Sequence, residues 1–304
     1  MSKTDFSIVV PVYRSVQTLE PLFNGIQSVM AEMKASFEVV FVEDSGEEDS
    51  WKELLRLKQL HTNVITCVRL SRNFGQNGAT LCGIDEARGK KVITIDDDLQ
   101  TDPADIKTLV EYQNETGADV VYGKYPEVKS SWLRRVGSKF VKRLFSKSQG
   151  GASVGSSFRL LEEHIVDRIR FHSQDHLFIN QVIGWYTLNA QFVEVSHNPR
   201  NEGKSGYSLW KLMLLSFRLI IYYTSVPLKI MVMLCVLTAA SIIGMTIYYV
   251  YFQLESGGAI DVFMIAVLAA MTIIAASIAV FGVYINRIYS SRVKKPNYAI
   301  KVKV

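Results

Sequence analysis

Apolar runs and amphipathic stretches alternate along the first hundred residues. Four near-continuous apolar runs predict buried strands, at residues 6–13, 37–44, 64–70 and 91–96. Helical spacing of apolar residues lies between them, most clearly over 19–33 and 79–87. Buried strands that alternate with helices are typical of a parallel sheet covered on both faces. The pattern therefore predicts an α/β domain with a mostly parallel, Rossmann-like sheet.

Two longer apolar runs in the last third of the chain predict membrane helices. Residues 231–252 and 262–285 contain no charged side chain over 22 and 24 positions. A helix crosses the roughly 30 Å hydrocarbon core with about 20 apolar residues, so burial inside a soluble domain is the weaker interpretation. Glu255 and Asp261 lie in the connection, whereas Lys and Arg flank the outer ends of the two runs. The positive-inside rule then predicts an external hairpin with both termini in the cytoplasm.

The distribution of charge supports this division. The 304-residue chain has a net charge of +5, but residues 1–203 carry 24 basic and 27 acidic side chains, and residues 204–304 carry 10 and 2. The basic residues flank apolar runs and form no aromatic-interleaved basic face, which argues against nucleic-acid binding. The three cysteines lack metal or redox spacing, and no signal peptide precedes the first strand. We expect a protein of the cytoplasmic membrane with its first domain in the cytoplasm.

Two other stretches, 131–147 and 207–223, place basic residues between apolar ones at helical spacing. Packing on the domain and contact with the membrane surface explain this pattern equally well. The organisation predicted from all these patterns has six parts: a catalytic domain over 1–206, an interfacial helix over 207–228, a first span over 229–252, an external hairpin over 253–261, a second span over 262–286 and a basic tail over 287–304.

Acidic residues follow two of the predicted strands, with Glu43 and Asp44 after the second and residues 96–98, all Asp, after the fourth. Ligands of open α/β sheets bind beyond the carboxyl ends of the strands. No glycine-rich loop of the dinucleotide or ATPase kind is present, so we expect a divalent cation to hold phosphate groups here through one or two side chains. The alternative is a solvated acidic turn, with Asp102 capping the next helix.

Four motifs in order resemble those of the family 2 glycosyltransferases: Ile8-Val-Val-Pro-Val-Tyr13, Val42-Glu-Asp-Ser45, Asp96-Asp-Asp-Leu-Gln100 and Arg200-Asn-Glu-Gly-Lys-Ser-Gly-Tyr-Ser208. With the two apolar runs, they are similar to the polyprenyl-phosphate glycosyltransferases, which include dolichyl-phosphate mannose synthases and bactoprenol glucosyltransferases. Within that group, Ser71-Arg-Asn-Phe-Gly-Gln76, the 131–148 stretch and Arg287-Ile-Tyr look most like the undecaprenyl-phosphate 4-deoxy-4-formamido-arabinose transferases. The resemblance covers nearly the whole chain.

The resemblance implies a GT-A fold, a nucleotide-sugar donor and a Mg²⁺ or Mn²⁺ ion. The metal would be held by Asp98 and Gln100, and Asp96 would act near the sugar with Asp98 and Arg200 as the catalytic set. The residues implied in donor binding are Pro11, Tyr13, Asp44, Asn73, Asp97, Lys124 and Ser205. Asn73 lies in a loop, where capping of the loop is nearly as good an interpretation.

The sequence departs from the family pattern at several of these positions. Glu43 and Ser45-Gly46 replace Asp and Gly-Ser, Asp97 stands where Ala is usual, and Gly206 replaces a common Lys. Lys124 stands where relatives often have Arg, so its contact with the donor would lack the bidentate fork. Ser157 precedes Phe-Arg where many members carry an acid, so any assistance from that acid is missing here.

The implied activity is inverting transfer of a sugar, preferably from a UDP-sugar, to undecaprenyl phosphate in the membrane by a homo-oligomer, a tetramer in relatives. A phosphate ester is already largely anionic near neutral pH because its second pKa is about 6, so Asp96 is interpreted as orienting the sugar or as a weak base. One alternative is a processive polysaccharide synthase, disfavoured because Gly184 stands where such enzymes carry Arg. The other is a non-catalytic, membrane-anchored scaffold that binds nucleotide sugars. Donor choice depends on the shape of the pocket, so the sequence does not name the sugar.

Overall fold

The computed structural model describes residues 4–125, 155–171, 179–196, 226–252, 260–293 and 296–304. The chain divides into two compact units, one of residues 1–204 with 294–304 and the other of residues 205–293. Several predicted features lie outside the described residues: the basic helix over 131–147, the stretch 207–223 and most of the external hairpin.

A mixed sheet forms the centre of the first unit. Its strands are β1 (Phe6–Val12), β2 (Phe37–Glu43), β3 (Ile65–Leu70), β4 (Lys91–Thr94), β5 (Val120–Lys124), β6 (Arg159–Glu162), β7 (Ala190–Glu194) and β8 (Ile300–Lys303). The helices of this unit are α1 (Leu19–Glu32), α2 (Glu48–Leu60), α3 (Gly75–Glu86), α4 (Asp105–Thr116), α5 (Glu163–Arg170) and α6 (Ile179–Tyr186).

The strands lie in the order β7-β5-β6-β4-β1-β2-β3-β8. Strands β4, β1, β2 and β3 pair in parallel, as do β5 and β7. Strand β6 is antiparallel to both β4 and β5, which makes β5 run in the same direction as β4. The carboxyl ends of β1, β2, β4 and β5 consequently meet at one edge of the sheet, while the amino end of β6 reaches that same edge.

The sheet is covered on both faces, as its apolar strands predict. All seven residues of β1 are buried. Ile8 and Val10 pack in the layer that contains α1, α2 and α4, whereas Val9 packs in the layer that contains α3, α5 and α6. Successive side chains of a strand point to opposite faces, so a strand between two helical layers must be apolar throughout. The predicted α/β class is confirmed.

Helix α3 begins at Gly75, four residues before the predicted start at residue 79. The segment Gly75-Gln-Asn-Gly78 has poor helix propensity, so local preference did not indicate this first turn. Tertiary hydrogen bonds define it, because the backbone N–H groups of Phe74 and Gly75 both donate to Asp44. The start of the helix is thus set by a residue thirty positions earlier in the chain.

The second unit contains α7 (Val226–Phe252) and α8 (Ile260–Val293). The two helices contact each other where Cys235 Sγ lies 3.2 Å from Ser277 Oγ. Within the part of the chain that the structure describes, one stretch, Ala269–Asn286, is long and apolar enough to cross a membrane, with a mean hydropathy of 1.9. This stretch lies within the second predicted span, 262–286. The first predicted span, 229–252, stays a prediction, as does the crossing of a membrane by both helices.

Candidate active site

The polar residues singled out from the sequence gather at the edge where the parallel strands end. Tyr13 follows β1, Asp44 follows β2, and Asp96 lies two residues beyond β4. Lys124 is the exposed last residue of β5. Because β6 runs the other way, Ser157 reaches the same edge just before that strand begins. This edge is therefore the candidate active site.

Asp44 is a buried carboxylate that organises the start of α3. Its Oδ1 accepts a hydrogen bond from the N–H of Phe74 at 2.6 Å, and its Oδ2 accepts one from the N–H of Gly75 at 2.8 Å. Burial raises the pKa of Asp44, and these two backbone bonds oppose the rise. Each carboxylate oxygen keeps a second lone-pair site for a ligand donor. Asp44 can therefore hold the loop and still face a nucleotide base.

Asp96 is fixed by two side-chain donors from opposite sides. Gln76 Nε2 donates to Oδ1 at 2.6 Å, and Ser157 Oγ donates to Oδ2, also at 2.6 Å. Burial raises the pKa of Asp96, Asp98 adds to the rise, and the two hydrogen bonds oppose it. Both oxygens are engaged, so the carboxylate has a defined orientation toward the edge.

Asp97 connects the acidic cluster to the end of β1. Its Oδ2 accepts a hydrogen bond from the backbone N–H of Tyr13 at 3.0 Å. Burial raises the pKa of Asp97 to about 6, against hydrogen bonds from Ser15 and Tyr13. Tyr13 is nearly half exposed, while Pro11 is buried within β1. The side chain of Tyr13 is thus accessible at this edge, whereas Pro11 is covered within the strand.

Asp98 and Gln100 contact each other directly. The backbone N–H of Gln100 donates to Asp98 Oδ1 at 3.2 Å, and the side-chain amide of Gln100 donates to Oδ2. Leu99 between them has a φ of 56°, which turns the chain so that the two side chains meet. Among the described residues no three His, Cys, Asp or Glu side chains are grouped closely enough to hold a metal ion alone. A pair of hard oxygen ligands completed by phosphate oxygens fits Mg²⁺ or Mn²⁺.

Glu43, which replaces the Asp of the family pattern, contacts an arginine on the neighbouring strand. Glu43 is buried and forms an ion pair with Arg69 on the neighbouring strand, with 2.9 Å between Oε2 and Nε. The same carboxylate accepts a hydrogen bond from the backbone N–H of Gly46. Burial raises the pKa of Glu43, and Gly46 and Arg69 oppose the rise. Glu43 thus shapes the turn after β2, and Asp44 stays the acid of this turn that is predicted to bind the donor.

A buried cation lies behind Asp96. Arg159 is the first residue of β6, its Nε donates to Thr94 Oγ1 at 3.1 Å, and its guanidinium also donates to Asn180. Burial lowers the pKa of Arg159, while Tyr122 and Asp96 oppose the fall. Arg159 has no role among the predictions from the sequence, although it is the last residue of the Ser157-Phe-Arg motif. An arginine beside the apolar pair Leu160-Leu161 is the signal that could have identified it.

The structure brings some of the predicted residues together and leaves others apart. Tyr13, Asp44, Asp96 and Asp97 belong to one connected region, in which Gln76 joins the turn held by Asp44 to Asp96. Asn73 Oδ1 accepts from the N–H of Gly75 at 3.1 Å, so its side chain caps the loop as the alternative interpretation expected. Two predicted residues, Arg200 and Ser205, lie outside the described residues.

Comparison with known proteins identifies the class. The sequence profile of "Glycosyl transferase family 2" matches residues 7–169, which is more than half of the chain. The chain belongs to this family and is a glycosyltransferase. It is 29% identical over 302 residues to the undecaprenyl-phosphate 4-deoxy-4-formamido-L-arabinose transferase of Proteus mirabilis (strain HI4320), covering 97% of this chain and 92% of that protein.

Solved structures show the same fold. Glucosyl-3-phosphoglycerate synthase from Mycobacterium tuberculosis, in complex with Mn²⁺, uridine-diphosphate and phosphoglyceric acid, has a TM-score of 0.51 and 14% identity, covering 72% of this chain and 76% of its own. A mycobacterial protein has a TM-score of 0.50 and 15% identity, with coverage of 72% and 73%. At these identities the likeness concerns the fold alone, and it confirms the GT-A-like α/β architecture.

Proposed function

We propose that this glycosyltransferase moves a sugar from a nucleotide sugar, with UDP preferred, to undecaprenyl phosphate. The observation that carries the proposal is the cluster of Asp44, Asp96, Asp97 and Asp98 at one sheet edge, in a chain whose named relative is aligned over 97% of its length. The name of that relative supplies the lipid phosphate as acceptor. The named ligands of the mycobacterial synthase supply a uridine nucleotide and a divalent metal as the chemistry to test first.

The donor would lie across the ends of β1, β2 and β4. Asp44 accepts hydrogen bonds from a base, and the exposed ring of Tyr13 packs against it. The diphosphate then reaches Asp98 and Gln100, whose oxygens are the ligands that a Mg²⁺ or Mn²⁺ ion prefers. When bound, this ion supplies positive charge to the diphosphate as the leaving group becomes more negative.

The acceptor requires little help from a base. A lipid phosphate monoester is largely ionised at neutral pH because its second pKa is about 6. Asp96 already accepts hydrogen bonds on both oxygens from Gln76 and Ser157, an arrangement suited to orienting a sugar hydroxyl. We therefore propose direct displacement with inversion at the anomeric carbon, in which Asp96 positions the sugar. Arg200 is proposed to bind phosphate.

The connectivity of the chain supports a membrane hairpin of two spans. Residues up to 204 belong to the catalytic unit, and the chain returns to that unit at residue 294. A single crossing, by α8 alone, would put β8 and its partner β3 on opposite sides of a bilayer, although the two strands are hydrogen-bonded. An even number of crossings is required, and α7 and α8 supply two. The basic residues at the outer ends of these helices favour the cytoplasmic side for the catalytic unit.

The test uses the full-length protein in lipid nanodiscs with undecaprenyl phosphate, Mn²⁺ and a radiolabelled UDP-sugar. We expect label in the lipid fraction, loss of transfer with EDTA, and a fall of at least about a hundredfold in Asp98→Asn, since a lost metal ligand removes several kcal/mol of charge stabilisation. Asp102→Asn is the matched control, because Asp102 accepts from the N–H of Ala104 and Asn is an equally good cap.

Four outcomes would contradict parts of this proposal. Full turnover in EDTA would exclude the metal role of Asp98 and Gln100. Retention of the donor's anomeric configuration in the lipid product, read by NMR, would exclude direct displacement. Tight binding of nucleotide sugars without transfer to any polyprenyl phosphate would favour the scaffold, and a product that carries many sugars would favour the processive synthase.

A further inference from the structure

The last nine residues of the chain return from the second unit to the sheet. Strand β8 pairs antiparallel with β3, with Val68 opposite Lys303 and Leu70 opposite Ile300. Backbone hydrogen bonds of 2.9 Å join Cys67 to Val304 in both directions. We name residues 296–304 the C-terminal strap. Two residues, 294 and 295, separate it from the end of α8 at Val293.

The strap also binds the far end of α3. Tyr298 Oη donates to Asp85 Oδ2 at 2.5 Å, and the Tyr298 ring packs against the core layer that contains α3. Lys303 forms an ion pair with Glu86 at the last residue of the helix. Burial and the neighbouring carboxylate of Asp85 raise the pKa of Tyr298, so the phenol remains a neutral donor. Side chains of the strap therefore bind the C-terminal turn of α3.

Close backbone contact joins the strap to the first turn of α3. A Cβ atom added to Gly78 would lie 2.8 Å from the carbonyl oxygen of Asn297 and 2.8 Å from Cβ of Phe74, nearer than real Cβ contacts come. The Ser71 N–H, just before the loop that leads into α3, donates to the carbonyl of Ala299 at 2.8 Å. Gly78 thus permits an approach that any side chain would prevent.

The strap contacts flank residues 74–76, and these residues make the hydrogen bonds that orient two acids of the candidate donor site. Phe74 and Gly75 donate to Asp44, and Gln76 donates to Asp96. Residues 74–76 lie between the two strap contacts at Ser71 and Gly78. Their local sequence has poor helix propensity, so the turn depends on tertiary contacts for its conformation.

We propose that the C-terminal strap is a positioning element for nucleotide binding. It holds residues 71–78 in the conformation in which Asp44 and Asp96 are correctly oriented. The inference rests on the proposed function only for the identity of the ligand, a uridine nucleotide. It also means that residues 296–304, which follow the second predicted span, position side chains of the candidate donor site.

The experiment measures the affinity of full-length protein in nanodiscs for UDP with Mn²⁺ by calorimetry. Deletion of residues 297–304 removes the strap, and Gly78→Ala displaces Asn297 of the strap together with the side chain of Phe74. We expect either change to lower the fraction of protein molecules in the binding-competent conformation to about a fifth. The apparent Kd for UDP then rises about fivefold. Asn77→Ala is the matched control, because it introduces the same side chain one position earlier at an exposed site, and its Kd should stay within about twofold.

Two further measurements separate positioning from general destabilisation. Hydrogen exchange should accelerate at the amides of Phe74 and Gly75 in the deletion variant, while strand β1 keeps its protection. A synthetic peptide of residues 296–304 added in excess should restore the affinity of the deletion variant for UDP. If the deletion variant does not fold, Tyr298→Phe is measured in its place, because it removes the hydrogen bond of the strap to Asp85 and adds no atom near Phe74. An unchanged Kd in Tyr298→Phe, with unchanged exchange at residues 74–75, then overturns the proposal.

The proposal is overturned if a folded deletion variant binds UDP within twofold of the parent, or if exchange at residues 74–75 is unchanged. Failure of the proposed function has a different signature, in which the unaltered protein itself does not bind UDP. In that event hydrogen exchange still tests the strap, since faster exchange at residues 74–75 after deletion supports it and unchanged exchange excludes it.

Discussion

The hydrogen bond from Ser157 to Asp96 gives the sharpest test of the catalytic site. Ser157 occupies the position where many family members carry an acid, and its Oγ lies 2.6 Å from Asp96 Oδ2. Replacing it by Ala removes one of the two donors that fix the carboxylate. A hydrogen bond to a charged group contributes about 1.5–3 kcal/mol, and the lower value applies because Asp96 is partly exposed. We therefore expect kcat/KM to fall about tenfold in Ser157→Ala.

The opposite substitution should do more harm. Ser157→Asp restores the acid of the relatives, but places it against Asp96. Two carboxylates about 4 Å apart repel by about 4 kcal/mol at an effective dielectric constant of 20. We expect a loss of more than a hundredfold in kcat/KM at neutral pH.

Initial rates of transfer at saturating acceptor and varied donor measure both effects. Ser157→Thr is the control, because it keeps the hydroxyl and should retain most of the activity. Equal kcat/KM in Ser157→Ala and Ser157→Thr, both near the parent value, would refute the positioning of Asp96 by Ser157. Full activity of Ser157→Asp would refute the electrostatic argument, since it would mean that Asp96 tolerates a neighbouring acid.

Two further predictions concern stability. Glu43→Gln breaks the buried ion pair with Arg69, which keeps its second ion pair with Glu48, and should lower the free energy of unfolding by about 2 kcal/mol in urea titrations. An unchanged midpoint would show that Glu48 alone satisfies Arg69. Hydrogen bonds from Ser36 and Lys90 lower the pKa of Asp5 from 3.8 to about 2, so its contribution is present above about pH 4 and is lost as the pH falls through 2. After allowance for its 43% exposed side chain, Asp5→Asn should cost about 1 kcal/mol at pH 7. The difference from the parent should vanish near pH 2, and a difference that persists there would contradict this cause.

The parts of the fold that follow from local sequence were predicted, and the parts that depend on distant partners were not. Strands β1 to β4 are mostly apolar because helices cover both faces, and that pattern is visible in the sequence. Strands β6 and β8 have four residues each, too short for a periodic signal. In β8 the alternation of apolar and basic residues was interpreted as part of a basic tail, because nothing local indicates its pairing with a strand more than two hundred residues away.

The candidate site shows the same limit. The acids after β2 and β4 were predicted to share one edge because parallel strands end together, and the structure places them so. The sequence did not indicate which donor each acid has. The hydrogen bond from the start of α3 to Asp44 depends on strand order. The meeting of Gln76 and Ser157 at Asp96 depends also on the reversed direction of β6. The metal, the inversion and the roles of Arg200 and Ser205 stay predictions, as does the oligomeric state.

The central claim is transfer of one sugar from a nucleotide sugar to a lipid phosphate. The most direct measurement incubates the full-length protein with undecaprenyl phosphate, Mg²⁺ or Mn²⁺ and a panel of UDP- and GDP-sugars, and then analyses the lipid fraction by mass spectrometry. We predict that undecaprenyl phosphate gains the mass of a single sugar with at least one UDP-sugar, and that Asp98→Asn abolishes this product. Unmodified lipid across the whole panel, from a protein that binds these donors, would contradict the claim.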